Sequence, residues 1–183
     1  MDVFAHILWT SAAARAGNVA LEKKHKRRMS IAWTAFWGVF PDLFAFGITF
    51  VAMIPAILRG GFVFEHHRIS GLPAELYNYS HSLVLWAVVF LITWAIMKRI
   101  PFPLFGWALH ILIDIPSHGN GFFLTPFLFP LSDYRFTHGI PWSNMWYMII
   151  NYTALLSVFS YLLVHDWKAR RKEREHKRYI SST

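Results

Sequence analysis

Four long apolar runs dominate the pattern of hydrophobic and polar residues along the chain. They cover residues 29–58, 81–97, 102–115 and 142–164. Apolar segments of about 17 to 25 residues cross a bilayer as helices. The second and fourth runs have that length. The first is longer and contains Pro41 near its middle, which predicts a kink, and the third is short and ends at Pro116.

The stretch 3–16 is also apolar but shorter, and Gly17-Asn18 follows it as a predicted helix stop. It is expected either to enter the membrane in part or to lie at its interface. We therefore predict an all-α integral membrane bundle of four to five membrane-embedded helices. The bundle covers residues 1–167, and residues 168–183 form a basic C-terminal tail.

The composition agrees with a membrane protein. Of the 183 residues, 55% are hydrophobic and 15% are charged, whereas about 25% are charged in typical soluble domains. A single soluble core of this size would not bury so much apolar surface, but a bilayer can. The chain has no Cys, which excludes disulfides and thiolate metal sites.

The formal charge of +8 is concentrated in clusters at 23–28, 98–99 and 168–178, each beside an apolar run. The positive-inside rule places all three on the cytoplasmic side, together with the C-terminus. The loops 59–80 and 116–141 then lie outside. Because the cations flank predicted spans, the lipid bilayer is the expected partner and nucleic acid is not.

Two acidic residues carry the strongest functional signal. The chain has ten acids, and only Asp42 and Asp114 lie inside strongly apolar runs. An ionisable group at membrane depth costs at least a few kcal/mol, so it needs a partner or an ion. His110 precedes Asp114 by four residues and shares its helix face. This pair can hold a divalent ion, or it can neutralise itself through a hydrogen bond.

The predicted topology brings further candidate ligands to the same half of the bundle. His6, His81 and His118 are expected near its outer side, with His110 and Asp114. A shared site of this composition suits zinc or manganese. Asp42 and Asp114 are also candidates for a general base.

The outer segments contribute weaker candidates. Arg135 is a candidate clamp for a phosphate or carboxylate, and a surface pair with Asp133 is the alternative. His66 and His67 either line a solvated loop or add a ligand.

Four sequence blocks resemble those of a known family. They are MDVFAHILWTSAAARAG at the start, GVFPDLF, YSHSLV and LHILIDIPSHGNGFFLTPFLFPLSDYRF, in that order along the chain. Together they resemble the membrane-bound metal-dependent hydrolase family, which includes the LexA-regulated inner-membrane hydrolases. The blocks run from residue 2 to about residue 136.

The resemblance implies a metal-dependent hydrolase of the bacterial inner membrane. Carried over by position, it gives the metal set His6, Asp42, His81, His110 and Asp114, with His118 as a less firm match. Two positions depart from the family pattern. Ser80 stands where Thr is usual, and Phe44 stands where members often carry a second acid, so the resemblance does not itself predict a two-metal site.

Two classes of function remain open. The first is metal-dependent hydrolysis of an ester or phosphoester, with lipid as the most accessible substrate. The second is non-enzymatic, either a structural metal site or an ion or proton pathway. A pathway requires polar groups in both halves of the bundle. The predicted concentration of Asp and His in one half favours hydrolysis.

Overall fold

The computed structural model describes residues 1–22, 28–59, 71–119 and 124–182. These residues form six α-helices: α1 (Val3–Glu22), α2 (Ile31–Leu58), α3 (Leu72–Ser80), α4 (Leu83–Met97), α5 (Phe105–Ser117) and α6 (Met145–Ser182). A short 3-10 turn, Phe102–Leu104, precedes α5. No strand occurs in these residues, and the only bridge is an isolated one between Gly119 and His138. The all-α prediction is confirmed.

Two helices of the described chain are long and apolar enough to cross a membrane, over Ile31–Pro55 and Met145–Ile180. The α3–α4 pair, bent by 60°, makes a third if it counts as one broken span. At 13 residues, α5 is about 20 Å long, less than the hydrocarbon thickness of about 30 Å. The prediction of four to five embedded helices is higher than these two or three candidate spans because it also counts α1 and α5.

Several helix boundaries differ from the predicted ones. The helix α1 continues through Gly17-Asn18 to Glu22, so the predicted stop is wrong. The reason is that Asn18 joins α1 to the next helix: its Nδ2 donates to the Met29 carbonyl at 2.9 Å, and its Oδ1 accepts from the Met29 N–H at 2.5 Å.

The prolines do not end the helices that contain them. Pro41 lies inside the continuous helix α2, and Pro116 lies in the last turn of α5, which ends at Ser117. Because proline lacks an N–H, Pro41 leaves the Trp37 carbonyl without its helical hydrogen bond. The prediction that the third run ends at Pro116 is therefore wrong by one residue.

The bend between α3 and α4 is the feature that the apolar pattern did not predict. Ser82 caps α4 by accepting the Leu85 N–H at 3.1 Å, so α4 starts two residues after His81. His81 therefore lies in the break between the helices rather than inside a span.

Small residues allow the helices to pack closely around the site. A Cβ on Gly38 of α2 would lie 2.7 Å from Thr10 Cβ of α1, and one on Gly106 of α5 would lie 3.0 Å from the Gly38 nitrogen. On the other side of α1, Trp9 Nε1 donates to Asn151 Oδ1 of α6 at 2.8 Å. Such close contacts are typical of helices that associate in membranes.

The chain between α5 and α6 folds back over the ends of the helices. The N–H groups of Ile140 and Trp142 donate to the Pro116 and Ser117 carbonyls, each at 2.9 Å. The Leu83 N–H donates to the Phe127 carbonyl at 2.9 Å. This covering segment, residues 124–144, lies where α4 starts and α5 ends. The basic C-terminal residues extend α6 without a break at residue 168.

Candidate metal centre

The buried Asp and His side chains of the described residues form one cluster. They are His6, Asp42, His81, His110, Asp114 and His118. They come from α1, α2, the α3–α4 break, α5 and the residue after α5. The metal set given by the family resemblance, with His118, is therefore buried in one region.

Four of the six form a compact group, here called the inner group: Asp42, His81, His110 and Asp114. Each offers one ligand atom, and these atoms lie within 4.8 Å of one another. His110 Nε2 is 3.2 Å and His81 Nε2 is 3.5 Å from Asp114 Oδ2. The same two nitrogens lie 3.7 and 3.6 Å from Asp42 Oδ1.

A contact with Gly38, which is not a member of the inner group, fixes the orientation of the His110 ring. Its Nδ1 lies 2.8 Å from the Gly38 carbonyl oxygen. A carbonyl only accepts, so Nδ1 carries the hydrogen and donates it. In the neutral ring, the lone pair is then on Nε2, which faces the carboxylates.

His81 is oriented in the same way. Its Nδ1 lies 2.9 Å from Ser80 Oγ, and that hydroxyl also lies 3.4 Å from the Tyr77 carbonyl, to which it donates. When the hydroxyl donates to that carbonyl, Ser80 accepts the Nδ1 hydrogen, and the Nε2 lone pair then faces the inner group. Trp107 Nε1 holds the Ser80 carbonyl at 2.6 Å, and the Tyr77 ring stacks on His81 at 3.8 Å.

Four possible ligand atoms thus face one another in a buried space. His81 Nε2 and His110 Nε2 are 3.1 Å apart, and Asp114 Oδ2 has no hydrogen-bond partner. Buried acceptors without a donor are unfavourable. A divalent cation would satisfy all four, and this nitrogen and oxygen set suits zinc or manganese.

His6 and His118 lie beside the inner group but outside it. His6 Nε2 is 3.0 Å from Asp114 Oδ1, and its ring stacks on His110 at 3.7 Å. His118 Nδ1 lies 3.1 Å from Thr125 Oγ1 and 3.8 Å from Asp114 Oδ2.

Arg135 lies on the covering segment rather than in the cluster. Its guanidinium donates to the Leu124 carbonyl and to Asn78 Oδ1, both at 3.3 Å. Within the described residues it forms no ion pair, so the alternative of a surface pair with Asp133 is not what the structure shows. His66 and His67 lie outside the described residues.

The sequence did not identify the groups that orient the ligands. The Gly38 carbonyl contacts His110, and the Trp107 indole contacts the Ser80 carbonyl. Both contacts join different helices, so no local sequence pattern indicates them. Ser80 is the exception, since a hydroxyl directly before a candidate ligand is a visible signal.

No family model matches the chain, and neither the curated proteins nor the solved structures contain one with significant similarity to it.

Proposed function

We propose that this protein is a membrane-embedded, metal-dependent hydrolase that cleaves an ester or phosphoester, with a lipid as the most accessible substrate. One observation carries the proposal: four buried ligand atoms within 4.8 Å of one another, two of them imidazole nitrogens and two carboxylate oxygens. The resemblance to membrane-bound metal-dependent hydrolases supports it, because the family motifs fall on the same residues.

The inner group would hold the ion through His81, His110 and Asp114. A divalent ion there would lower the pKa of a bound water toward about 7 and polarise the scissile bond. Gly38 and Ser80 keep the two imidazoles in the tautomer that binds a metal. Asp114 supplies negative charge in a buried place, since its side chain is 1% exposed.

Asp42 is the proposed proton acceptor of the site. Its side chain is 12% exposed, against 0 to 1% for the other three members of the inner group. It is thus the member closest to solvent, where a water molecule and a substrate would arrive. A carboxylate in that place can accept a proton from the attacking water.

Arg135 is the proposed contact for an anionic substrate group. Its guanidinium has only neutral partners among the described residues, so its charge is available to a phosphate. It is linked to the cluster through neighbours, since Leu124 precedes Thr125, which contacts His118.

We further propose the membrane arrangement expected from the cations. The C-terminus is cytoplasmic, α1 and α5 are embedded beside the crossing helices, and the metal centre is in the outer half of a bacterial inner membrane. A lipid head group of the outer leaflet would then reach the covering segment directly.

An ion or proton pathway is the rival function, and the distribution of buried charge argues against it. A pathway requires ionisable groups along its length. In the described residues the buried Asp and His side chains all belong to one cluster. Away from it, the Arg15–Asp166 pair that joins α1 to α6 has side chains 23% and 28% exposed.

Hydrolysis by the purified protein in detergent tests this proposal. The substrates are bis(4-nitrophenyl) phosphate and a 4-nitrophenyl acyl ester, assayed after chelation and after addition of zinc or manganese. We expect activity only with metal, and a loss of about 10-fold to 100-fold in His110→Ala. His138→Ala is the matched control, because His138 is exposed on the covering segment. Equal rates with and without chelator would contradict the proposal.

A further inference from the structure

The two carboxylate oxygens of Asp114 face different sets of ligands. Oδ2 faces the inner group through His81 and His110. Oδ1 is 3.0 Å from His6 Nε2 and contacts the α-amino nitrogen of Met1. One carboxylate therefore borders two separate positions, and the inner group accounts for only one of them.

The geometry of His6 is that of a metal ligand. The residue is fully buried, and neither of its ring nitrogens has a hydrogen-bond partner. Nε2 is close to Asp114 Oδ1, yet the contact does not meet hydrogen-bond geometry. Ligand atoms that each bind one ion at about 2.0 to 2.2 Å lie about 3 Å apart without pointing at each other.

A positive charge already lies at this position. The Met1 α-amino nitrogen contacts Asp114 Oδ1 and is 3.4 Å from His118 Nε2. The ammonium thus marks a place where a cation fits between Asp114 and His118, on the side of Asp114 that faces His6.

We infer that His6, His118 and Asp114 Oδ1 bind a second divalent ion in the place of the Met1 ammonium, with Asp114 bridging it to the ion of the inner group. The inference rests on the proposed function and narrows its substrate class. Two ions about 3.5 to 4 Å apart stabilise the attacking and leaving oxygens of an in-line displacement, as phosphoester cleavage requires. This site needs no acid at position 44, where Phe44 is 46% exposed.

Metal counting with Mn²⁺ distinguishes one position from two. The full-length protein in detergent is freed of metal, titrated with Mn²⁺ and followed by elemental analysis and electron paramagnetic resonance. We expect about two ions per chain in the wild type, and spin coupling between them when the second binds. His6→Gln and His118→Gln should each hold about one ion, without coupling, and Asp114→Ala should hold none.

The possible negative results distinguish failure of the second metal position from failure of the proposed function. One ion in the wild type, retained with unchanged affinity in His6→Gln and His118→Gln, overturns the second position and leaves the proposed function intact. One ion that is lost in His6→Gln also overturns it, because His6 would then serve the inner ion. No ion in the wild type overturns both. His138→Gln, with its exposed ring, and thermal unfolding of each variant control for misfolding.

Discussion

His110 donates its Nδ1 hydrogen to the carbonyl oxygen of Gly38 across the α2–α5 interface, at 2.8 Å. This contact favours a metal site over a self-neutralising pair as the interpretation of the His110–Asp114 spacing. A self-neutralising pair needs a hydrogen on Nε2, which lies 3.2 Å from Asp114 Oδ2. With the ring neutral and the hydrogen on Nδ1, Nε2 has only a lone pair to offer, and a cation is the partner that suits it.

The close approach at Gly38 gives the first prediction. In Gly38→Ala the new Cβ would lie 2.7 Å from Thr10 Cβ, so α1 and α2 must separate and the His110 contact must shift. We expect the free energy of unfolding to fall by about 1 to 3 kcal/mol and metal affinity to fall with it. Thermal unfolding and metal titration in detergent measure both.

Gly47→Ala is the matched control for this change. A Cβ there meets nothing within 4 Å, and it lies on the same helix α2. Alanine favours a helix over glycine by about 0.5 to 1 kcal/mol, so stability should stay the same or rise. An equal loss in both variants would show that the effect comes from the helix and not from the α1–α2 contact.

The second prediction concerns Asp42 and tests whether its charge is coupled to metal binding. Asp42→Asn keeps the shape and removes the charge. With metal present, we expect binding to weaken by about 10-fold or more. Without metal, the variant should be more stable than the wild type, since a buried carboxylate without its cation is unfavourable.

Thermal unfolding with and without chelator measures this coupling. If chelator destabilises the wild type and Asp42→Asn by the same amount, Asp42 does not act on the metal. Asp133→Asn, at an exposed position of the covering segment, should behave as the wild type does.

Arg135 gives the third prediction. Arg135→Gln should raise the KM for an anionic phosphodiester by about 10-fold, because a charge-assisted contact is lost. The KM for a neutral acyl ester should stay unchanged. Steady-state kinetics with both substrates tests this, and an equal change for both would mean that Arg135 only holds the covering segment through Leu124 and Asn78.

The membrane arrangement gives the fourth prediction. A reporter fused after Thr183 should be active on the cytoplasmic side, and one inserted at Gly71 should be active on the outer side. Gly71 is a suitable position, since it precedes α3 and lies at its N-terminal end. The opposite pattern would place the metal centre on the cytoplasmic half and remove outer-leaflet lipid as the substrate.

The sequence predicted the helical class and the cluster of Asp42, His81, His110 and Asp114, for a physical reason. Asp42 and Asp114 stand out because carboxylates are rare in apolar runs, and His110 stands out because it shares a helix face with Asp114. These signals are local, so a single sequence displays them.

The features that the sequence did not predict depend on tertiary contacts. The break that contains His81 depends on Ser82, which caps α4 and donates to the Phe129 carbonyl of the covering segment. The two carboxylate oxygens of Asp114 face different sets of ligands, and this arrangement depends on where α1, which carries His6, packs. Apolar length alone also does not separate crossing helices from embedded ones, because α5 is apolar but only 13 residues long.

The metal content of Asp114→Ala beside the wild type tests the existence of the metal centre most directly. Asp114 contacts every histidine of the cluster, so its loss should remove all bound metal, while Asp133→Ala should retain it. We expect stoichiometric zinc or manganese in the purified wild type and in Asp133→Ala, and almost none in a folded Asp114→Ala. Stoichiometric metal in Asp114→Ala, or none in the wild type after incubation with either ion, would contradict a metal centre at this place.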